Sequence, residues 1–471
     1  MKEPGAILLV ACYELGHQPL AVAWPAAFLE RRGYHPALLD VSVEPFDSEK
    51  VRRARLVAVS VPMHTALRLG VAFAERSRAV NPACHIAFYG LYATLNAGYL
   101  LKHAADSVLS GELEAALVEL ARNLDQPRDD GGDRGPAPSE RRSEPRGRPP
   151  AARPILEKLD FPVPSRTHLP SLKAYAHVEK AGRLELAGYV EASRGCKHLC
   201  RHCPIPPVYG GRFFVVPRDV VLADIRQQVE AGAAHITFGD PDFLNGPGHA
   251  LAVARALHAE FASVTFDFTA KVEHLLKHRD RLRELVELGC AFIVTAAESL
   301  SDTVLAHLAK GHTRADVVAA LHAVRAAGIA LRPTWVPFTP WTTLDDYREL
   351  LDFVEAHGLI DAIDPVQYSI RLLVPPGSLL LESPAMRPFL GPRVEDAFYY
   401  RWTHPDPRME RLGAQVAALV ARAADAREDA AATFSRIRRL ADLAAGAPPR
   451  PDVALPPGRR RPPRLTEPWF C

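Results

Sequence analysis

Cys196-Lys197-His198-Leu199-Cys200-Arg201-His202-Cys203-Pro204 sets three cysteines at CxxxCxxC spacing within eight residues. Thiolates are soft ligands that suit iron–sulfur clusters or zinc. This spacing lets three of them converge on one centre from a single loop. A 4Fe-4S cluster normally takes four cysteines. No fourth lies nearby, so one iron is left open to bind a small molecule and act on it. The alternative is a zinc site with His198 or His202 as fourth ligand. Structural zinc usually draws on two spaced ligand pairs, and no second pair follows within the next several dozen residues.

Around this loop the chain alternates strand and helix. From about residue 155, apolar runs at 188–193, 235–240, 263–270, 291–298, 330–337 and 365–372 read as strands. Helices are expected between them, at 217–231, 274–288, 314–327 and 344–357. Six such strands predict a partial (β/α)6 parallel barrel, whose chemistry sits at the carboxyl ends of the strands. The cysteine loop follows the first strand. Gly239 and Asp240 end the second, Thr269, Lys271 and Glu273 follow the third, and Glu298-Ser299 ends the fourth. Any one of these could be an ordinary helix cap, but together they mark one face. Trp335, Pro337, Phe338, Pro340 and Trp341 read either as a pocket wall or as core.

Residues 6–124 form an earlier series, with strands at 6–12, 37–41, 56–62, 85–90 and 106–110 and helices at 20–32, after 62 and at 112–124. Continuous apolar strands alternating with helices predict a doubly wound, Rossmann-like α/β domain. Its ligand lip would comprise 13–18, 60–64, 90–94 and 110–112.

The cysteine motif resembles the signature of the radical S-adenosylmethionine (SAM) superfamily. The resemblance implies that Cys196, Cys200 and Cys203 ligate a 4Fe-4S cluster whose open iron holds SAM. It also implies that Gly239, Asp240, Glu298 and Ser299 contact SAM, and that Lys310-Gly311-His312-Thr313 matches a stretch common after the Glu-Ser pair. His202 stands where the family commonly has an aromatic residue. The first series resembles the cobalamin-binding-like domain that precedes many such cores. The family's Asp-x-His-x-x-Gly motif is absent, since His17, His35 and His64 lack an Asp two positions earlier. Cobalamin binding and a domain that only packs on the core both stand. Leu465-Thr466-Glu467-Pro468-Trp469-Phe470-Cys471 resembles the tail of the CUAEP/CCAEP group, which implies a redox role for Cys471.

The expected organisation is a cobalamin-binding-like domain at 1–124, a disordered linker at 125–154, the core barrel at 155–380, a helical cap at 381–445 and a flexible tail at 446–471. The linker is rich in Asp, Arg, Gly and Pro and has no apolar period, so it cannot offset its ordering entropy. The expected function is reductive cleavage of SAM to a 5′-deoxyadenosyl radical acting on a small-molecule or peptide substrate. Flavodoxin or ferredoxin would supply the electron. Rival readings are a cobalamin-dependent radical methyltransferase and a non-catalytic iron–sulfur or zinc binding protein.

Composition is that of a soluble globular protein. Of 471 residues, 48% are hydrophobic and 24% charged, and the net charge of +2 points to neither nucleic acid nor an acidic membrane. Seven cysteines are too few for a disulfide framework in a chain this long, so a reducing cytoplasm fits. Cys12, Cys84 and Cys290 fall in apolar runs and read as core residues.

Overall fold

The computed structural model describes residues 1–126, 154–456 and 458–467. The chain divides into two units. Met1–Glu14 and Pro19–Leu169 form the first, and Leu15–Gln18 and Pro170–Cys471 the second.

In the first unit, β1 (Ile7–Ala11), β2 (Ala37–Asp40), β3 (Leu56–Ser60), β4 (His85–Tyr89) and β5 (Ser107–Leu109) form a parallel sheet of order β2-β1-β3-β4-β5. All residues of β1 and β3 are buried, as expected of strands covered by helices on both faces. One core layer joins Leu9, Val22, Leu29, Leu56, Tyr89 and Leu117. The unit runs beyond the boundary expected at 155. Ile155 bridges to Gly111, donating to Ser110 O at 3.0 Å and accepting from Glu112 N at 2.6 Å. The backbone groups of Ser110 and Glu112, read from sequence as ligand lip, are therefore partnered by the chain itself. Expected linker residues 127–153 lie outside the described residues.

The second unit is built on a curled half-barrel sheet. β6 (His177–Lys180) and β7 (Arg183–Val190) form an antiparallel pair at its start. β8 (Ser193–Gly195) and β9 (Phe213–Val215) form a separate antiparallel pair. Then come β10 (His235–Phe238), β11 (Thr265–Thr269), β12 (Cys290–Glu298) and β13 (Ala330–Trp335). β7, β10, β11, β12 and β13 are parallel neighbours, and helices such as Arg218–Glu230 and Arg314–Ala326 follow the strands.

The sixth barrel strand expected at 365–372 is not there. Pro365 has no N–H to give and restricts Asp364 before it. Pro365–Tyr368 turns as a 3-10 helix instead. The side chain of Gln367 accepts from Trp335 N at 3.0 Å, where a sixth strand's carbonyl would have stood. Only a bridge between Phe338 and Arg371 remains. Trp335 and Phe338 are buried, and Trp341 donates to Ala385 O, so this aromatic loop is core.

The segment expected to be a helical cap, 381–445, contains a β-hairpin, β14 (Leu390–Val394) with β15 (Tyr399–Trp402). Its Tyr-Tyr-Arg-Trp run has the aromatic character of strands. Helices Pro407–Asp425 and Ala430–Ala444 follow. The latter packs on Leu344–Ala356 and on 360–368, with Phe434 edge-on to Tyr368 at 5.7 Å. It covers the edge that the missing strand leaves.

Residues 447–464 read as disordered because they are rich in Pro and Arg. The structure pins the described ones by ion pairs. Arg450 meets Asp442 and Asp352, Arg459 meets Asp361 and Asp429, and Arg464 meets Glu179. β16 (Arg464–Leu465) then pairs antiparallel with β6. Composition suggests a solvated tether, whereas carboxylates supplied from distant positions hold it down.

Two glycines separate backbone strain from crowding. Gly5 and Gly111 both have positive φ, but a Cβ at Gly5 meets open space and one at Gly111 falls 2.1 Å from Ile155 O. Gly5→Ala is expected to cost about 1 kcal/mol from left-handed backbone alone. Gly111→Ala should cost about 1–3 kcal/mol more, because Ile155 must move. Urea midpoints test this, and equal losses in the two variants would refute it.

Candidate functional site

The cysteine loop leaves β7 by a fixed path. Asp240, just past β10, is buried and accepts from Ala192 N at 2.9 Å and Ser193 Oγ at 2.5 Å. It thus clamps Ala192 and Ser193, two of the residues that lead from β7 to the loop. Gly239 beside it leaves room for Tyr189, since a Cβ there would fall 2.1 Å from that ring. Gly195, at φ +75°, turns the chain into the loop, and β9 closes the loop's base on β8. Asn245, past β10, holds the first cysteine: its Oδ1 lies 3.9 Å from Cys196 Sγ and accepts from Lys197 N, while Lys197 Nζ donates to Asn245 O at 2.8 Å. The far side is tied by Arg201 N to Leu308 O at 2.9 Å.

Glu298 faces the loop from the end of β12. The register with β13 slips between Ala296 and Glu298, and Glu298 takes φ +64°. Bulges of this kind re-aim a side chain next to active sites. Its Oε1 lies 3.2 Å from both Lys310 Nζ and His202 Nε2. Burial would push this carboxyl up, but the Lys310 ammonium and the His202 bond outweigh it and bring it down to about 2. Burial opposes the charge on Lys310, but Glu298 and then Cys200 restore it and raise its pKa. His202 is therefore a partner of Glu298, a role invisible in the motif. Ser299 Oγ accepts from Ser301 N at 3.1 Å, closing a local turn.

A second group involves another histidine of the loop. Asp242 Oδ2 lies 2.7 Å from His274 Nδ1, and His274 Nε2 lies 3.3 Å from His198 Nε2. Lys271 Nζ reaches Glu273 Oε2 at 3.5 Å. Burial, then the charges of Lys271 and His274, bring His198 down to about 4. The sequence offered His198 as a candidate zinc ligand of the cysteine loop, but nothing in it joined His198 to Asp242 and His274.

The donor set fits a soft metal centre. Cys196 and Cys200 are buried and Cys203 half-buried in one loop. Burial raises Cys196 and pushes Cys203 up to about 12. Thiols so buried make poor free nucleophiles, whereas a bound metal deprotonates its ligands. His202 Nδ1 and Asn245 Nδ2 are buried beside the loop without hydrogen-bond partners.

Asp240 also carries a pH signature. Burial raises it from 3.8 to about 7, against the bonds from Ser193 and Ala192. The folded chain keeps this proton where the unfolded chain has lost it, so the group's contribution falls as pH rises through that window. The stability of the wild type relative to Asp240→Asn is therefore expected to fall between about pH 4.5 and 7.5. Urea midpoints across that range check it, and a constant or rising difference would refute it.

Residues 190–354 match the Radical SAM superfamily. Among curated relatives, the uS12 methylthiotransferase RimO of Chlorobium chlorochromatii is 26% identical over 36% of this chain and 40% of its own length. The tRNA-2-methylthio-N(6)-dimethylallyladenosine synthase of Desulfosudis oleivorans is 28% identical over 40% and 42% respectively. The chain thus spans about two fifths of the length of these enzymes. Among solved structures, the radical enzyme OxsB with aqua-cobalamin bound superposes with TM-score 0.65 at 13% identity, over 94% of this chain and 80% of that one. The methyltransferase TsrM of Kitasatospora setae, with cobalamin and a 4Fe-4S cluster, superposes with TM-score 0.54 at 18% identity, over 75% and 73%. At such identities the likeness is one of fold. The superfamily uses a 4Fe-4S cluster and SAM, and the three cysteines lie near the start of the matched segment: residues 190–354 are a radical SAM domain.

Proposed function

We propose that this chain is a radical SAM enzyme that cleaves SAM reductively and acts on a small-molecule or peptide substrate, with flavodoxin or ferredoxin as reductant. The observation that carries this reading is the three-thiol loop clamped at the carboxyl end of β7, faced by a buried, charged Glu298. Cys196, Cys200 and Cys203 would hold the cluster. A 4Fe-4S cluster with SAM bound supplies one-electron cleavage of the sulfonium to methionine and a 5′-deoxyadenosyl radical.

The chain's own residues bind and orient. Lys310, felt by Cys200 and Cys203 and bonded to Glu298, keeps positive charge beside the thiolates. Glu298 and Ser299, at and just past the end of β12, would contact SAM. Gly239 gives its space to Tyr189, and Asp240 serves through the clamp on Ala192 and Ser193, as a positioning residue. The CUAEP/CCAEP likeness and a redox role for Cys471 belong to the same proposal. Cys471 lies outside the described residues, and the support is that β16 runs parallel to β7, toward the end where the cysteine loop sits.

After anaerobic reconstitution, dithionite and SAM are expected to yield 5′-deoxyadenosine, and Cys196→Ala to abolish it. A cluster that forms yet gives none would favour the binding-protein reading.

A second reading, cobalamin-dependent methyl transfer, is favoured by the β2-β1-β3-β4-β5 sheet and the fold likeness to two cobalamin-binding enzymes. The missing Asp-x-His-x-x-Gly motif leaves no motif histidine for the cobalt. His35 precedes β2 at its amino end, while His64 begins a helix after β3. On this reading hydroxocobalamin co-elutes one to one with the chain and His64→Ala retains it. Colourless protein after gel filtration would remove the reading.

A further inference from the structure

We propose that His198, Asp242 and His274 form a second metal site, separate from the cysteines, for a divalent transition-metal ion such as Zn²⁺, Fe²⁺ or Co²⁺. The three residues come from three elements: the cysteine loop, the segment after β10 and the helix Val272–Lys277 after β11. Their donor atoms all lie within 4.8 Å of one another. Two imidazole nitrogens on one zinc, at about 2.05 Å each and a tetrahedral angle, stand about 3.3 Å apart. His198 Nε2 and His274 Nε2 are 3.3 Å apart. Asp242 Oδ2 lies 3.9 Å from His198 Nε2, about half an ångström beyond that spacing, which rotation of an imidazole can close.

The burial pattern carries the inference further. Asp242 has no exposure and His274 only 8%. Asp242 Oδ2 is 2.7 Å from His274 Nδ1, yet that nitrogen makes no hydrogen bond, because the approach is off the N–H direction. A buried ring nitrogen whose hydrogen bond is not made is unfavourable. An ion takes one nitrogen of each ring, so His274 would offer Nε2 beside His198 Nε2, and a turn of its ring, not held by a hydrogen bond at Nδ1, would bring Nε2 toward Asp242 Oδ2. The remaining contacts of Asp242 come from backbone, Leu244 N at 3.0 Å and Lys271 N at 3.4 Å, which orient the carboxylate.

Two imidazoles and one carboxylate suit zinc, iron or cobalt rather than magnesium or calcium. Three protein ligands leave further positions open for water or substrate. Because His198 lies between Cys196 and Cys200, an ion here would tie the cysteine loop to the ends of β10 and β11. The site does not depend on the proposed radical chemistry, since it needs no cluster and no SAM.

The test is Co²⁺ titration of the full-length chain carrying Cys196→Ala, Cys200→Ala and Cys203→Ala. One equivalent is expected to bind, with visible bands of nitrogen and oxygen ligation and no sulfur charge-transfer band. Adding His274→Ala should weaken binding at least 100-fold. Should the triple variant not fold, the native-cysteine chain, loaded with its cluster and freed of loose metal by chelator, is given one equivalent of Zn²⁺. Zinc-edge absorption is then expected to show nitrogen and oxygen neighbours only, and His274→Ala to lose the zinc. No stoichiometric binding, sulfur neighbours, or binding indifferent to His274→Ala would each overturn the proposal and leave the trio as a packed polar cluster.

Discussion

A carboxylate almost cut off from water, gripping the backbone of Ala192 and the hydroxyl of Ser193, decides where the cysteine loop goes. Asp240 has no room to trade these partners for solvent. Leaving such a group unmade would cost about 1–3 kcal/mol, comparable to a large part of a domain's net stability. The chain therefore leaves β7 in one direction. Gly195 turns it, the β8–β9 pair closes the base, and Asn245 and Leu308 hold the two flanks. Three thiols that sequence merely spaces apart are thereby confined to one place.

Charge completes what the clamp begins. Glu298 would be expensive to bury alone, as would Lys310. Together with His202 they form a satisfied group, and the bulge at the end of β12 turns the carboxylate toward the loop. The left-handed backbone of Glu298 is strain of the kind tolerated where surroundings over-determine it. A second group beside the loop joins His198, Asp242 and His274. Both groups put a histidine of the cysteine motif against an acid from a strand end, so the loop's non-cysteine residues are as constrained as its thiols.

The edges of the second unit's sheet are managed by unlike means. At one edge, β6 and then β16 add strands beyond β7, with Arg464 paired to Glu179. At the other, Gln367 lends a side-chain carbonyl to Trp335 and the helix Ala430–Ala444 packs alongside. Exposed edge amides invite unwanted pairing, and both devices occupy them. The arginine-rich segment before β16 is held in the same spirit, by carboxylates at Asp352, Asp361, Asp429 and Asp442.

Local pattern was enough for the features that depend on local pattern. Apolar runs separated by helical stretches determined both α/β sheets, because a strand covered on two faces must be apolar throughout. The CxxxCxxC spacing determined that three thiols share one loop. The sixth strand was misread because the 365–372 run is apolar enough, while the effect of Pro365 and the substitution by Gln367 depend on what lies across the sheet. Tyr399–Trp402 was misread because a helix follows it closely, and only its pairing with Leu390–Val394 makes it a strand. Asp240 was legible as a polar strand end, but its direction was not, since that depends on Ala192 and Ser193, which follow β7. The partners of His202, His198 and Arg459 were equally hidden. Hydrogen bonds and ion pairs between residues some 30 to 100 positions apart have no period in sequence, and only folding brings their two halves within reach.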